Sequence, residues 1–241
     1  MPSPGRRLFG LHKFWDYLFA NTDKKRSQPT RLACEPLEER IVLSFVSDPN
    51  IPFPSGTTPL AVALPQLNVD SFADMAVLGT DGQLTTAINS GSDSWLPAIT
   101  TDLGVSQTSG FAFGYLDGDL FTDLVVQTPD GLLVGSGDGT GQFTNFRTIS
   151  LGTSGSLSAS AGVRVEPAIG YLDSDPFADV VTVAPGTNEV IVLHGDGNGG
   201  FASVDRFASG GLQPVAVQIG SFVGDAALDV VVGHRDGSVT F

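Results

Sequence analysis

Hydrophobic and polar positions beyond residue 44 repeat with a long period. The segments "LPQLNVDSFADMAVL", "AFGYLDGDLFTDLVV", "AIGYLDSDPFADVVT" and "VQIGSFVGDAALDVVV" superimpose on their last aspartates, Asp74, Asp123, Asp179 and Asp229, at spacings of 49, 56 and 50 residues. Self-similarity at such a period marks a repeat architecture. In each copy an apolar run such as Pro167 to Leu172 leads into an acidic loop, and a β-branched run such as Val180 to Val183 leaves it. A turn with Asp-Gly or Pro-Gly follows ("TDGQ", "PDGL", "PGTN", "RDGS"), and then a further strand, for example Val190 to Leu193. Two copies close with "GDGTGQF" and "GDGNGGF", the first with the looser "GSDSW". Glycine reaches the positive φ of tight hairpins at little cost. Each unit therefore predicts a four-stranded antiparallel meander.

Composition supports this picture. The 241 residues include 30 Gly and 15 Pro, with 41% hydrophobic and only 16% charged. That is the profile of many short strands joined by tight turns. The formal net charge of −14 is uneven: residues 1–44 carry +3 and the remainder −17, with no lysine after Lys25. So acidic a region repels phosphate backbones, which argues against nucleic acid as a partner and makes divalent cations the natural counter-charge. Cys34 is the single cysteine and has no partner for an internal disulfide.

Residues 1–44 form a separate leader. "RRLFGLHKFWDYLFANTDKKR" sets Leu8, Leu11, Trp15, Leu18 and Phe19 at helical spacing between basic flanks. This predicts a short amphipathic helix able to touch a membrane surface or a partner, or else a loosely ordered tail. It is too short to span a bilayer, and His12, Lys13 and Asp16 interrupt the apolar core that a cleaved signal peptide needs. Downstream, Leu37-Glu38-Glu39-Arg40-Ile41-Val42-Leu43 resembles the LEPR-XLL motif found ahead of long exported bacterial proteins, with Glu39 in place of its proline and Val42 in place of a leucine. That resemblance implies a secreted or cell-surface location, with the cytoplasm as the alternative.

The repeats of 45–241 resemble FG-GAP or VCBS-type repeats, the blades of integrin-like β-propellers. Asp-x-Asp-x-x-x-Asp loops at 117–123 and 173–179, followed by G-D-G-x-G-x-F turns at 137–143 and 195–201, carry the resemblance. It implies an all-β propeller of four four-stranded antiparallel blades. The fourth unit stops at "GSVTF", one strand short, while residues 45–67 parallel 201–222. A strand at 43–48 is therefore expected to complete the last blade and close the ring, leaving no free sheet edge. An open arc that pairs with a second chain as a homodimer is the alternative.

In the family pattern the acidic loop offers oxygens at positions 1, 3, 5 and 9 and a backbone carbonyl at 7, suited to Ca²⁺. Positions 3, 5 and 9 are Asn68, Asp70 and Asp74, then Asp117, Asp119 and Asp123, then Asp173, Asp175 and Asp179. Position 1 is lost to Gln66, Tyr115, Tyr171 and Ser221, and Val223 removes position 3 from the fourth copy. The glycine of position 6 is replaced by Ser71, Leu120, Pro176 and Ala226. Two readings stay open: weak Ca²⁺ binding, at roughly 10⁻⁴–10⁻³ M, or aspartates that shape the turn through backbone N–H groups alone. Phe72, Phe121 and Phe177, at position 7, are expected to plug the spaces between blades.

No catalytic residues are expected. The acids obey the repeat symmetry, whereas an active site breaks it. The symmetry-breaking polar residues are few, Arg164, Glu166, Glu189, His194, His234 and Arg235, with both histidines expected at the surface. The expectation is an exported binding or adhesion module that recognises a protein or glycan with its loop face. A purely structural module and a carbohydrate or ester hydrolase are the alternatives.

Overall fold

Antiparallel strands joined by tight turns make up every regular element of the residues that the computed structural model describes, 58–91, 94–152, 157, 164–222 and 227–241. The expected leader and closing strand 43–48 lie outside them, as do Val223 and Ala226 of the fourth loop. Blade 1 contains β1 (Pro59–Ala63), β2 (Met75–Gly79), β3 (Gln83–Ala87) and β4 (Ile99–Asp102). Blade 2 contains β5 (Gly110–Gly114), β6 (Asp123–Thr128), β7 (Gly131–Gly137) and β8 (Phe143–Ser150). Blade 3 contains β9 (Ala168–Gly170), β10 (Asp179–Ala184), β11 (Glu189–Gly195) and β12 (Phe201–Ala208). Blade 4 contributes β13 (Pro214–Gly220), β14 (Asp229–His234) and β15 (Val239–Thr240).

Within each sheet the spatial order is the sequence order, so every blade is a simple meander. The four sheets are arranged as a four-blade β-propeller. First strands lie innermost, β1 beside β5, β5 beside β9 and β9 beside β13. As the sequence predicts, the fourth blade shows three strands among the described residues.

The apolar runs of β6 and β10 are continuous rather than alternating because these strands are buried on both faces. Successive side chains of a strand point to opposite faces, and the core sorts accordingly. Leu124 and Val126 of β6 join Leu78 and Leu84 in a layer between blades 1 and 2. The intervening Val125 joins Val180, Ile191 and Leu193 between blades 2 and 3. Val181, Val183, Val190 and Val192 turn the other way and meet Val217 and Val232 of blade 4. The hydrophobic core is thus a series of layers between blades.

Polar side chains stitch the same interfaces. Thr86 Oγ1 of β3 donates to the Gly141 carbonyl of the next blade at 2.7 Å, and Thr122 Oγ1 donates to the Gln66 carbonyl at 2.5 Å. Thr182 of β10 hydrogen-bonds to the buried Gln127 of β6. Each bond lets a buried polar group cross a layer with its partner satisfied.

Leu193 is fully buried in the layer between blades 2 and 3. Leu193→Ala is expected to cost about 2–5 kcal/mol, read as a lower urea midpoint with an unchanged m-value.

Candidate functional site

The loops joining the first and second strands of each blade carry the expected ligand residues, and they lie at one end of the ring with the turns joining third and fourth strands. Asp74, Asp123 and Asp179, at loop position 9, are buried at the start of the second strand. In blade 2, Asp123 Oδ2 accepts the N–H of Leu116 at 2.8 Å and Oδ1 accepts that of Gly137 at 3.1 Å. In blade 3, Asp179 accepts from Leu172 at 2.8 Å and Gly195 at 3.0 Å. Asp74 accepts from Leu67 and Asn89, both at 2.8 Å. In blade 4, Asp229 accepts from Phe222 at 2.8 Å. One carboxylate thus ties the end of the first strand, the start of the second and the end of the third.

Close approach explains the glycine at the third-strand end in two blades. A Cβ at Gly137 would lie 2.2 Å from the Thr122 carbonyl oxygen, and one at Gly195 would lie 2.3 Å from that of Ala178. Only glycine brings its N–H to the aspartate there without a clash.

Positions 3 and 5 form successive Asx turns. The Asp119 N–H donates to Asp117 Oδ1 at 3.0 Å and the Phe121 N–H to Asp119 Oδ1 at 2.7 Å. Asp173, Asp175 and Phe177 repeat this at 2.9 and 2.8 Å, and Asn68, Asp70 and Phe72 at 3.1 and 2.8 Å. All nine expected residues therefore accept backbone N–H groups in their own loops.

The three loops differ in how they offset their negative charge. In blade 1 the Asn68 amide donates to Asp70 Oδ2 at 2.9 Å, so a neutral donor faces the carboxylate. In blade 3, His194 Nδ1 lies 3.1 Å from Asp173 Oδ2 and 3.8 Å from Asp179 Oδ1, while Nε2 lies 3.2 Å from Asp205 Oδ2. In blade 2, Asp117, Asp119 and Asp123 have no cationic partner among the described residues. Burial raises the Asp123 pKa, outweighing the Leu116 and Gly137 N–H bonds that lower it, and the Asp117 and Asp119 charges raise it further.

Three expectations change. Phe72, Phe121 and Phe177 do not plug the spaces between blades: their rings lie over Gly91, Gly139 and Gly197 in the closing turns of their own blades. Each loop and turn of a blade pack together through this ring, which stays partly exposed. His234 is buried, its Nε2 facing the Ser209 carbonyl at 3.0 Å and its Nδ1 that of Ser238 at 3.3 Å. His194 is partly buried among three aspartates rather than on open surface.

At the opposite end of the ring a recess is lined by Asn188, Gln213, Arg235 and Asp236. The Ser238 hydroxyl and N–H hold the Asp236 carboxyl below its usual range, so this acid is ionised at neutral pH and is no proton donor there. No helix among the described residues is long and apolar enough to cross a membrane. No family model matches the chain, and no curated protein matches it.

Two tests follow from this geometry. Asp179→Ala strips the partners from two N–H groups and is expected to cost about 3 kcal/mol or more, whereas Asp175→Ala, on the exposed loop, is expected to cost about 1 kcal/mol or less; chemical denaturation compares them. Burial pulls the His194 pKa down, but the hydrogen bonds of Asp205 and Asp173 and the charges of Asp179 and Asp173 outweigh it, leaving the pKa raised. A raised histidine pKa stabilises the fold fully below the ordinary imidazole value and loses that contribution as pH rises through the folded value. Chelator-treated protein is therefore expected to lose melting temperature over that range, and His194→Ser to flatten the loss.

Proposed function

We propose that the chain is an exported or cell-surface binding module of the FG-GAP or VCBS-repeat type, engaging a protein or glycan ligand with the acidic-loop end of its ring. The observation that carries this reading is the composition of that end. Tyr115 and Tyr171 stand at the same loop position in blades 2 and 3, both about half exposed, with Phe222 of blade 4 and Phe72 of blade 1 also exposed. Between them lie Asp70, Asp117, Asp119, Asp173 and Asp175.

Exposed aromatic rings are costly to leave in water and concentrate where another surface covers them. Tyrosine pairs a flat apolar ring with a hydroxyl and stacks on sugars or peptides at low entropic cost. Carboxylates beside such rings accept hydrogen bonds from sugar hydroxyls or pair with basic side chains. A ring of packed blades whose loops differ from one blade to the next is a suitable scaffold for such recognition. Export rests on the leader's resemblance to a surface-sorting signature, which the propeller itself does not address.

The calcium component belongs to blade 2. Asp117 and Asp119 spend one oxygen each on the turn, burial and the neighbouring carboxylates raise the Asp123 pKa, and no cation among the described residues pairs with them. A hard divalent ion with several waters fits such an all-oxygen set, held by Asp117, Asp119 and Asp123. Blade 1 has an amide in that role and blade 3 an imidazole, so neither has the same need.

Binding of the full chain to soluble polysaccharides and to basic and acidic test proteins separates the two ligand classes. Tyr115→Ala combined with Tyr171→Ala is expected to weaken retention at least tenfold while the melting temperature holds. No retention by either class would remove the binding reading, and retention unaffected by the double variant would take the binding surface away from these tyrosines. In parallel, millimolar Ca²⁺ is expected to raise the melting temperature by about 2–5 °C in the wild type and not in Asp119→Asn; equal shifts in both would remove calcium from this loop.

A further inference from the structure

Blade 3 departs from blade 2 at two facing positions. Where β7 carries Ser136 and β8 carries Arg147, the matching places on β11 and β12 hold His194 and Asp205. A carboxylate only accepts, so each ring nitrogen of His194 needs a hydrogen to bond its aspartate, and a neutral imidazole has one to give; consider the tautomer with that hydrogen on Nε2, toward Asp205 Oδ2. In a neutral imidazole the remaining lone pair, on Nδ1, then faces Asp173 Oδ2 and Asp179 Oδ1. Three electron-rich atoms aimed at one another repel unless a cation lies among them. The smallest such cation is a proton, which makes the imidazole an imidazolium; the other is a metal ion.

We propose that His194 Nδ1, Asp173 Oδ2 and Asp179 Oδ1 form a site for a divalent transition-metal ion of the Zn²⁺ or Co²⁺ class, with Asp205 fixing the histidine tautomer. The three atoms lie within 4.8 Å of one another. Ligands at about 2.0–2.2 Å from such an ion stand about 3.4 Å apart in a tetrahedron, which the 3.1 and 3.8 Å separations bracket. Asp179 is already set by the N–H groups of Leu172 and Gly195. Asp173 belongs to an exposed loop and supplies the adjustment. The Asp205 carboxylate on the far ring nitrogen is the arrangement that orients metal-binding histidines and raises their basicity.

The donor set chooses the metal. One imidazole nitrogen and two carboxylate oxygens suit Zn²⁺ and Co²⁺, whereas Ca²⁺ requires an all-oxygen shell of about six to eight ligands. The His194 and Asp173 side chains are partly solvent-exposed, at 23% and 38%, so water reaches the remaining coordination positions. Such an ion would join the acidic loop to β11, and through the histidine to β12. This inference goes beyond the Ca²⁺ reading of blade 2 and stands without it.

The test uses the full chain in a Cys34→Ser background, so that the thiol does not compete, stripped with chelator and titrated with ZnCl₂ by calorimetry and with CoCl₂ by visible absorption. One His194-dependent site is expected, with Co²⁺ bands of nitrogen and oxygen ligation and no displacement by equimolar Ca²⁺. His194→Ser, which installs the blade 2 residue, is expected to weaken Zn²⁺ binding more than 100-fold, and Asp205→Asn about 10–100-fold. Folding of both is checked by their metal-free melts, and Asp205→Asn alone serves if the first fails to fold. Absence of binding at 1 mM ZnCl₂, displacement by Ca²⁺, or an affinity unchanged by Asp205→Asn would each overturn the proposal and leave the proton as the only cation there.

Discussion

A buried carboxylate that accepts backbone N–H groups from two other strands of its blade is the contact on which this propeller depends. A meander alone has no reason to keep its first three strands flush at one end, because hairpin turns fix only successive pairs. The aspartate at the head of the second strand supplies the missing constraint. Its oxygens meet the N–H of Leu116 and Gly137 in blade 2, and of Leu172 and Gly195 in blade 3. Charge-assisted bonds of this kind are stronger than neutral ones, and their burial makes any misregister costly. Flush ends in turn place loop and turn of each blade side by side, which is why all the candidate ligand residues gather at one end of the ring.

The same constraint sets what the loops do chemically. Once position 9 is committed to holding strands, the other acids must offset their mutual repulsion locally. Asn68 gives blade 1 an amide, His194 gives blade 3 an imidazole, and blade 2 is left with three acids. A shared architecture thus yields three electrostatic environments, differing through one or two residues each. Fold by itself assigns no ligand to any of them; the residues around the clamp decide.

Much of the fold was legible in the sequence. Repeat spacing placed Asp74, Asp123, Asp179 and Asp229 in register, and the β-branched runs that follow them, such as Val180 to Val183, marked the second strands, which the structure buries on both faces in blades 2 and 3. The three strands that the fourth blade shows among the described residues were visible too. The role of the aspartates was less so, because a carboxylate that binds metal and one that binds N–H groups share a sequence pattern. Phe121 and Phe177 were assigned to the wrong neighbour, since a sequence shows that a ring needs cover but not which segment gives it. His194 stood out in the sequence as a residue that breaks the repeat, but its aspartate neighbours did not. Its partners Asp173 and Asp205 stand 21 and 11 residues away and meet it only across strands.

The closing turn of blade 3 is fastened to the acidic loop of blade 2. Asp117 pairs with Asn198 as a β-bridge, the Gly199 N–H donates to the Leu116 carbonyl at 3.0 Å, and Arg147 Nη2 donates to the Asn198 carbonyl at 2.9 Å. A ligand that displaces Asp117 therefore works against the turn of its neighbour, and one that settles that turn prepares the loop. Linkage of this sort is reciprocal by thermodynamic necessity. The acidic loop of blade 2 and the closing turn of blade 3 are therefore one coupled element, and a shift in either is felt by the other.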